Sequence, residues 1–261
     1  MENLSVVVLA GERPIEQDHQ TTNPNIFTLI AGVPAIERVI NTLSSSQKIS
    51  HILVVGPEKA KKDASKIMKR ILAQRKVEYV EPSSGPSESA AKAFMMSDNP
   101  ILLTTADHPL LNVGIIENFV QASFDNRADF IVGLVPYEVV KNSFPKSRRT
   151  KLQFSDKTLC GSNLFFLKSE KCSNVLNLWT KLEEMRKSPW KLVSQFGLLY
   201  LIRYKLRILT TQEAFNVLSR QADCKASYVI IDQPRAAIDV DSWEDLSLAE
   251  RIIGADLEGN D

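Results

Sequence analysis

A carboxylate placed where an apolar strand ends can hold a hard cation, and this chain offers such a carboxylate twice. Residues 101–105 (ILLTT) lead through Ala106 to Asp107, followed by His108 and Pro109. One Asp at the carboxyl edge of a sheet suits Mg²⁺, which takes one or two protein carboxylates together with phosphate oxygens and water. The competing role, capping the helix expected to start near Val113, falls more naturally to Asn112. Further on, residues 236–240 read as a strand, so Asp239 and Asp241 project to one side. Two like charges side by side are costly unless solvated or shared with a cation. Ser242 and Asp245 are accounted for as a capping box for the last helix. Asp107 is therefore one candidate metal ligand, and the Asp239 and Asp241 pair is another. His108 is read as a loop hydrogen-bonder without a catalytic role.

Other loops offer groups for an anion. Residues 5–10 (SVVVLA) end at Gly11, where backbone amides can approach a phosphate, and Arg13 supplies a delocalised cation. A turn glycine and a surface arginine are the simpler account of the same residues. The loop has neither the GK[ST] of a Walker A motif nor GxGxxG. Residues 82–89 form a Ser/Gly/Pro loop feeding a helix N-terminus, which presents free amides to an anion or a polar base edge. Residues 146–151 (KSRRTK) are a dense basic cluster that reads either as a solvated charge run or as a phosphate or acceptor contact through Arg148 and Arg149.

These loops need a scaffold, and the chain alternates short apolar strands with helical patterns. Strands are expected at 5–10, 51–55, 77–80, 101–105, 130–135, 163–167, 228–231 and 236–240. Helices are expected at 34–43, 58–75, 87–96, 115–123 and 243–253. Runs apolar on both faces belong to a buried parallel sheet, and the alternation indicates βαβ units. The expected fold is α/β, a doubly wound, mostly parallel, Rossmann-like sheet with helices on both faces. It forms one domain over residues 1–261, with a helical insertion near 170–225. In such sheets ligands bind beyond the carboxyl ends of the strands.

Composition bounds the partners. Lys and Arg total 32 against 31 for Asp and Glu, a net charge of +1, so no broad electrostatic footprint for nucleic acid is expected. The N-terminus lacks the pattern of a signal peptide and no apolar run is long enough to span a bilayer. A cytoplasmic protein without membrane insertion is expected. Cys160, Cys172 and Cys224 have no CxxC spacing and read as reduced structural thiols.

Together LAGERP, AGVPAIERVI, LLTTADHPLL, GSNLFFL and AIDVDSWEDL resemble the molybdenum-cofactor guanylyltransferase-like (MobA-like) NTP transferases, within the glycosyltransferase-A-like nucleotidyltransferases. The resemblance implies that Leu9, Ala10, Gly11 and Arg13 form the triphosphate loop, with Arg13 and Asp107 catalytic. It implies that Gly85 and Ser87 lie beside the nucleobase and that Asn163 faces the acceptor. Asp107 would hold a Mg²⁺ (or Mn²⁺) bridging the phosphates, with Asp241 and Asp239 completing the ligands. The implied reaction transfers a nucleoside monophosphate from a nucleoside triphosphate to a phosphorylated or hydroxylated small-molecule acceptor, releasing pyrophosphate. One departure stands out: the family's Lys shortly before AG-x-P is absent from residues 23–30 (NPNIFTLI). A metal-dependent glycosyltransferase and a catalytically weak nucleotide-binding regulator are the alternatives, and a homodimer is compatible with each.

Overall fold

The computed structural model describes residues 4–11, 24–185 and 197–258. Its centre is β1 (Leu4–Leu9), in which every side chain but Ser5 is buried. Such a strand needs neighbours on both edges and cover on both faces. It pairs in parallel with β4 (Ile49–Val55) on one side and β6 (Ile101–Thr105) on the other. Beyond β4 lies β5 (Val77–Val80), also parallel. Beyond β6 come β9 (Thr158–Leu167), β7 (Phe130–Pro136) and β10 (Ala226–Ile230). β9 runs antiparallel to both β6 and β7 and also pairs with the short β8 (Leu152–Gln153). The sheet is thus mostly parallel, with one reversed strand wedged into it.

A separate hairpin of β2 (Leu29–Ile30) and β3 (Val33–Pro34) turns through Ala31 and Gly32, at φ +46° and +77°. A two-residue turn with both residues at positive φ matches the twist of its strands. Arg38 holds the turn by donating from Nε to the Ile30 carbonyl at 2.9 Å.

Helices cover both faces. Val6 and Val8 share one core with α1 (Ala35–Ser45), α5 (Val113–Asp125) and α10 (Trp243–Glu258). Val7 and Leu9 share the other with α4 (Pro86–Met95), α7 (Cys172–Met185) and α9 (Thr211–Ala222). Residues 170–225 thus contain α7 and α9, which pack on the sheet, and α8 (Leu198–Lys205), none of whose residues is buried. The short α6 (Tyr137–Ser143) follows β7. No helix among the described residues is long and apolar enough to cross a membrane.

Two expected elements differ. The helix expected over 58–75 is two helices, α2 (Lys59–Ala64) and α3 (Lys66–Leu72), broken at Ser65. Ser65 is extended and its hydroxyl accepts from the Met68 N–H at 3.2 Å, the N-cap role that Ser favours. The strand expected over 236–240 is instead a 3-10 turn, Pro234–Ala237, followed by irregular chain. Pro234 has no N–H to give a ladder, and the Val240 N–H is committed to the Asp107 carbonyl at 2.9 Å.

The reversed strand fits only because β7 carries a glycine at its bulge. A Cβ on Gly133 would lie 2.5 Å from Ser162 Oγ and 2.8 Å from Ile231 Cδ1, while the Ser162 hydroxyl donates to the Gly133 carbonyl at 2.8 Å. Gly133→Ala should therefore lower stability by about 1–3 kcal/mol through overpacking, read from the urea midpoint. Gly161→Ala, which meets nothing within 4 Å, should shift it little.

Candidate functional site

Parallel pairing aligns the ends of β1 and β6: Leu9 opposes Thr105, so Gly11 and Asp107 each lie two residues beyond a paired position. Ala10 donates its N–H to Val55 and Ala106 donates to Leu9, which fixes both turns against the sheet. Leu9 and Ala10 are buried, so what they can offer a ligand is backbone. Gly11 is exposed. Gly56, at φ +92°, passes so close that a Cβ there would sit 3.1 Å from the Gly11 nitrogen. Arg13 lies outside the described residues.

Asp107 is oriented by a relay. The Thr105 hydroxyl donates to Asp107 Oδ1 at 2.5 Å and accepts from Asn163 Nδ2 at 3.3 Å. A hydroxyl with one proton can do both at once. Asn163 sits at φ +51°, a left-handed conformation that Asn tolerates better than most residues. Asn163 thus reaches the carboxylate through Thr105.

The carboxyl oxygens of Asp107, Asp239 and Asp241 come within 4.8 Å of one another, all three residues half-buried. Asp239 and Asp241 reach Asp107 from an irregular segment rather than a strand, held by the Val240–Asp107 backbone bond. Hard oxygen donors at this spacing fit a divalent cation such as Mg²⁺ or Mn²⁺.

Arg149 has a different partner set from the one expected of an acceptor contact. Its side chain is only 7% exposed and its guanidinium pairs with both Asp239 and Asp245. It also donates to the Asp239 carbonyl at 3.2 Å and to Ser147 Oγ at 3.0 Å. Asp245 meanwhile accepts from the Ser242 hydroxyl at 2.7 Å and donates its own N–H to Ser242 Oγ at 3.2 Å. The expected capping pair is present, and Asp245 has a second function that linear spacing does not reveal. Arg148 is exposed and lines a cleft of about 250 Å³ with His108, Thr150, Asn163, Asp239 and Asp241.

Cys160 also lines this cleft. Burial pushes its thiol above the usual cysteine range, outweighing the opposing pull of Arg149 and Lys151. A protonated thiol is a poor nucleophile, so the cleft is suited to positioning and charge neutralisation rather than covalent catalysis by Cys160. All three cysteines are free and buried.

Away from the carboxylates, Gly85 is the residue before α4, and Ser87 is buried. The Ser87 N–H donates to Glu183 Oε2 of α7 at 3.2 Å, and a Cβ on Gly85 would lie 3.2 Å from Glu183 Oε1. Glu183 was not visible as a neighbour of this loop, because it lies far along the chain in a helix that reads as core packing.

The sequence profile of the MobA-like NTP transferase domain matches residues 6–158, more than half the chain. The chain belongs to this family. No curated protein matches it in sequence. Among solved structures it is similar to a hypothetical transferase from Thermus thermophilus, at 23% identity over 94% of this chain and 99% of that one, with a TM-score of 0.76. It is also similar to 4-diphosphocytidyl-2C-methyl-D-erythritol synthase from Anaerococcus prevotii, at 15% identity over 97% and 96%, TM-score 0.60. A third similar structure is CMP:2-keto-3-deoxy-manno-octonic acid synthetase complexed with CTP, at 10% identity over 98% and 100%, TM-score 0.59. At these identities the structures show a shared nucleotidyltransferase-type fold.

Removing the cation between Asp239 and Asp245 would strand two partly buried carboxylates. Arg149→Met should cost about 3–5 kcal/mol, measured by chemical denaturation, and adding Asp245→Asn should recover part of that loss.

Proposed function

We propose that this chain transfers a nucleoside monophosphate from a nucleoside triphosphate to a phosphorylated or hydroxylated small-molecule acceptor, releasing pyrophosphate with Mg²⁺ (or Mn²⁺). The observation that carries the reading is the convergence of Asp107 with Asp239 and Asp241, which are distant in sequence, at the carboxyl edge of the sheet where folds of this kind bind ligands. In this reading the three carboxylates hold the metal, which supplies charge neutralisation at the phosphates. The amides of Leu9, Ala10 and Gly11 and the Arg13 guanidinium cradle the triphosphate. Gly85 and Ser87 bound the nucleobase side, next to Glu183. Asn163 and Arg148 face the acceptor, and Arg149 shapes that wall through Asp239. Phosphoryl chemistry of this kind asks for in-line positioning and electrostatic stabilisation rather than a protein nucleophile, in keeping with a buried, protonated Cys160. Free buried thiols favour a reducing, cytoplasmic compartment.

The family Lys missing before Ala31 leaves the developing charge to other cations. Among the described residues, Arg148 is the cleft cation not committed to a carboxylate.

Asp107→Asn should abolish Mg²⁺-dependent pyrophosphate release, by a factor of about 10² or more, with an unchanged circular-dichroism spectrum. Undiminished turnover would sink the assignment. Asn163→Ala should lower kcat by about 10–100-fold, the range seen when residues supporting a metal ligand are lost, while the thermal shift with nucleotide and Mg²⁺ is kept. Comparing the four nucleoside triphosphates in that assay identifies the donor, because the ligand bound most tightly raises the melting temperature most.

A further inference from the structure

The reaction proposed above gives His108 nothing to do, yet its surroundings are not those of an ordinary loop histidine. The residue is 1% exposed, and neither Nδ1 nor Nε2 has a hydrogen-bond partner among the described residues. Buried polar groups are nearly always paired, and an imidazole in any tautomer carries at least one N–H to place. The fold keeps this unpaired ring at the wall of the cleft. A neutral aromatic of similar size would fill the same volume without leaving polar atoms unsatisfied.

Its neighbours in the cleft indicate what would satisfy it. Arg149 is committed to Asp239 and Asp245, whereas Arg148 forms no ion pair among the described residues. The exposed Thr150 adds a hydroxyl to the same wall. A planar guanidinium, a hydroxyl and an imidazole N–H are donors suited to the several acceptor oxygens of a phosphate. A divalent cation on Asp107, Asp239 and Asp241, together with Arg149 between Asp239 and Asp245, offsets three of the four carboxylate charges, and Arg148 offsets the fourth.

We propose that His108, Arg148 and Thr150 form an anion subsite that takes a phosphate monoester group of the acceptor, with the His108 imidazole donating directly to a phosphate oxygen. The word acceptor rests on the nucleotidyl-transfer reading. The anion subsite itself does not.

The chain has only three histidines, His19, His51 and His108, so ring-¹⁵N labelling gives a readable spectrum, assigned with single His→Gln variants. With Mg²⁺ present, added inorganic phosphate should shift the His108 ring signals saturably and leave those of the partly exposed His51 in place. Arg148→Ala should weaken the apparent affinity at least tenfold. A His108 signal that does not move, or one that moves equally in Arg148→Ala, overturns the proposal.

Repeating the measurement with nucleoside triphosphate in excess separates the two sources of phosphate. A response that persists supports the acceptor subsite. A response that disappears assigns the anion to the nucleotide and overturns it. His108→Phe, which retains an aromatic ring without the nitrogens, should keep a denaturation midpoint no lower than that of the parent chain and lose the phosphate-induced rise in melting temperature. A lowered midpoint would mean that the ring is hydrogen-bonded within the fold, which also overturns the proposal. Phosphate binding at His108 in a chain that shows no nucleotidyl transfer would count against the proposed reaction and leave the subsite standing.

Discussion

Four carboxylates meet at one edge of the sheet: those of Asp107, Asp239, Asp241 and Asp245. Left to themselves they repel, and partial burial makes the repulsion stronger by removing the water that would screen it. Arg149 is the protein's own answer. Its guanidinium joins Asp239 to Asp245, and so ties the segment before β8 to the start of α10. The geometry of the cleft follows from this bridge. Asp239 is fixed at Oδ1, Asp241 is placed two residues on, and the Val240 amide locks the segment onto Asp107. A buried ion pair of this kind contributes modestly to net stability, because desolvation offsets most of the attraction. Its contribution here is positional.

Much of the scaffold was legible in the sequence because its strands are apolar on both faces. Residues 5–10, 51–55 and 101–105 read as buried strands, and the helical patterns between them impose parallel connections. What escaped the sequence was local backbone choice. Ser65 interrupts a pattern that would otherwise read as one helix, since a hydroxyl can cap as readily as it can sit on an exposed face. Residues 236–240 are apolar enough for a strand, but the Ala236 and Ile238 amides donate back to Gln233 and Arg235 and the Val240 amide to Asp107.

Within the site, residue types proved more legible than partners. Asp107 stood out because a carboxylate at the carboxyl edge of a sheet suits a hard cation, and Asp239 and Asp241 because two like charges side by side are costly. Arg149 looked like one charge in a solvated run, and nothing in KSRRTK says that one of its two arginines turns inward while the other stays out. Glu183 and Thr105 were invisible as neighbours of Gly85 and Asn163 because contacts across helices and between strands leave no periodic trace. Asn163 could be singled out by type, but its left-handed backbone and its line to Asp107 through Thr105 could not.

The single backbone bond between Val240 and Asp107 also says something about timing. Domains generally fold as units, and Asp107 gains its acidic companions only once residues 239–241 have been made, well after β1, β4 and β6. The trio comes into being only when the C-terminal segment docks, so a truncated product retaining the sheet has the architecture of the family without its cluster of charge.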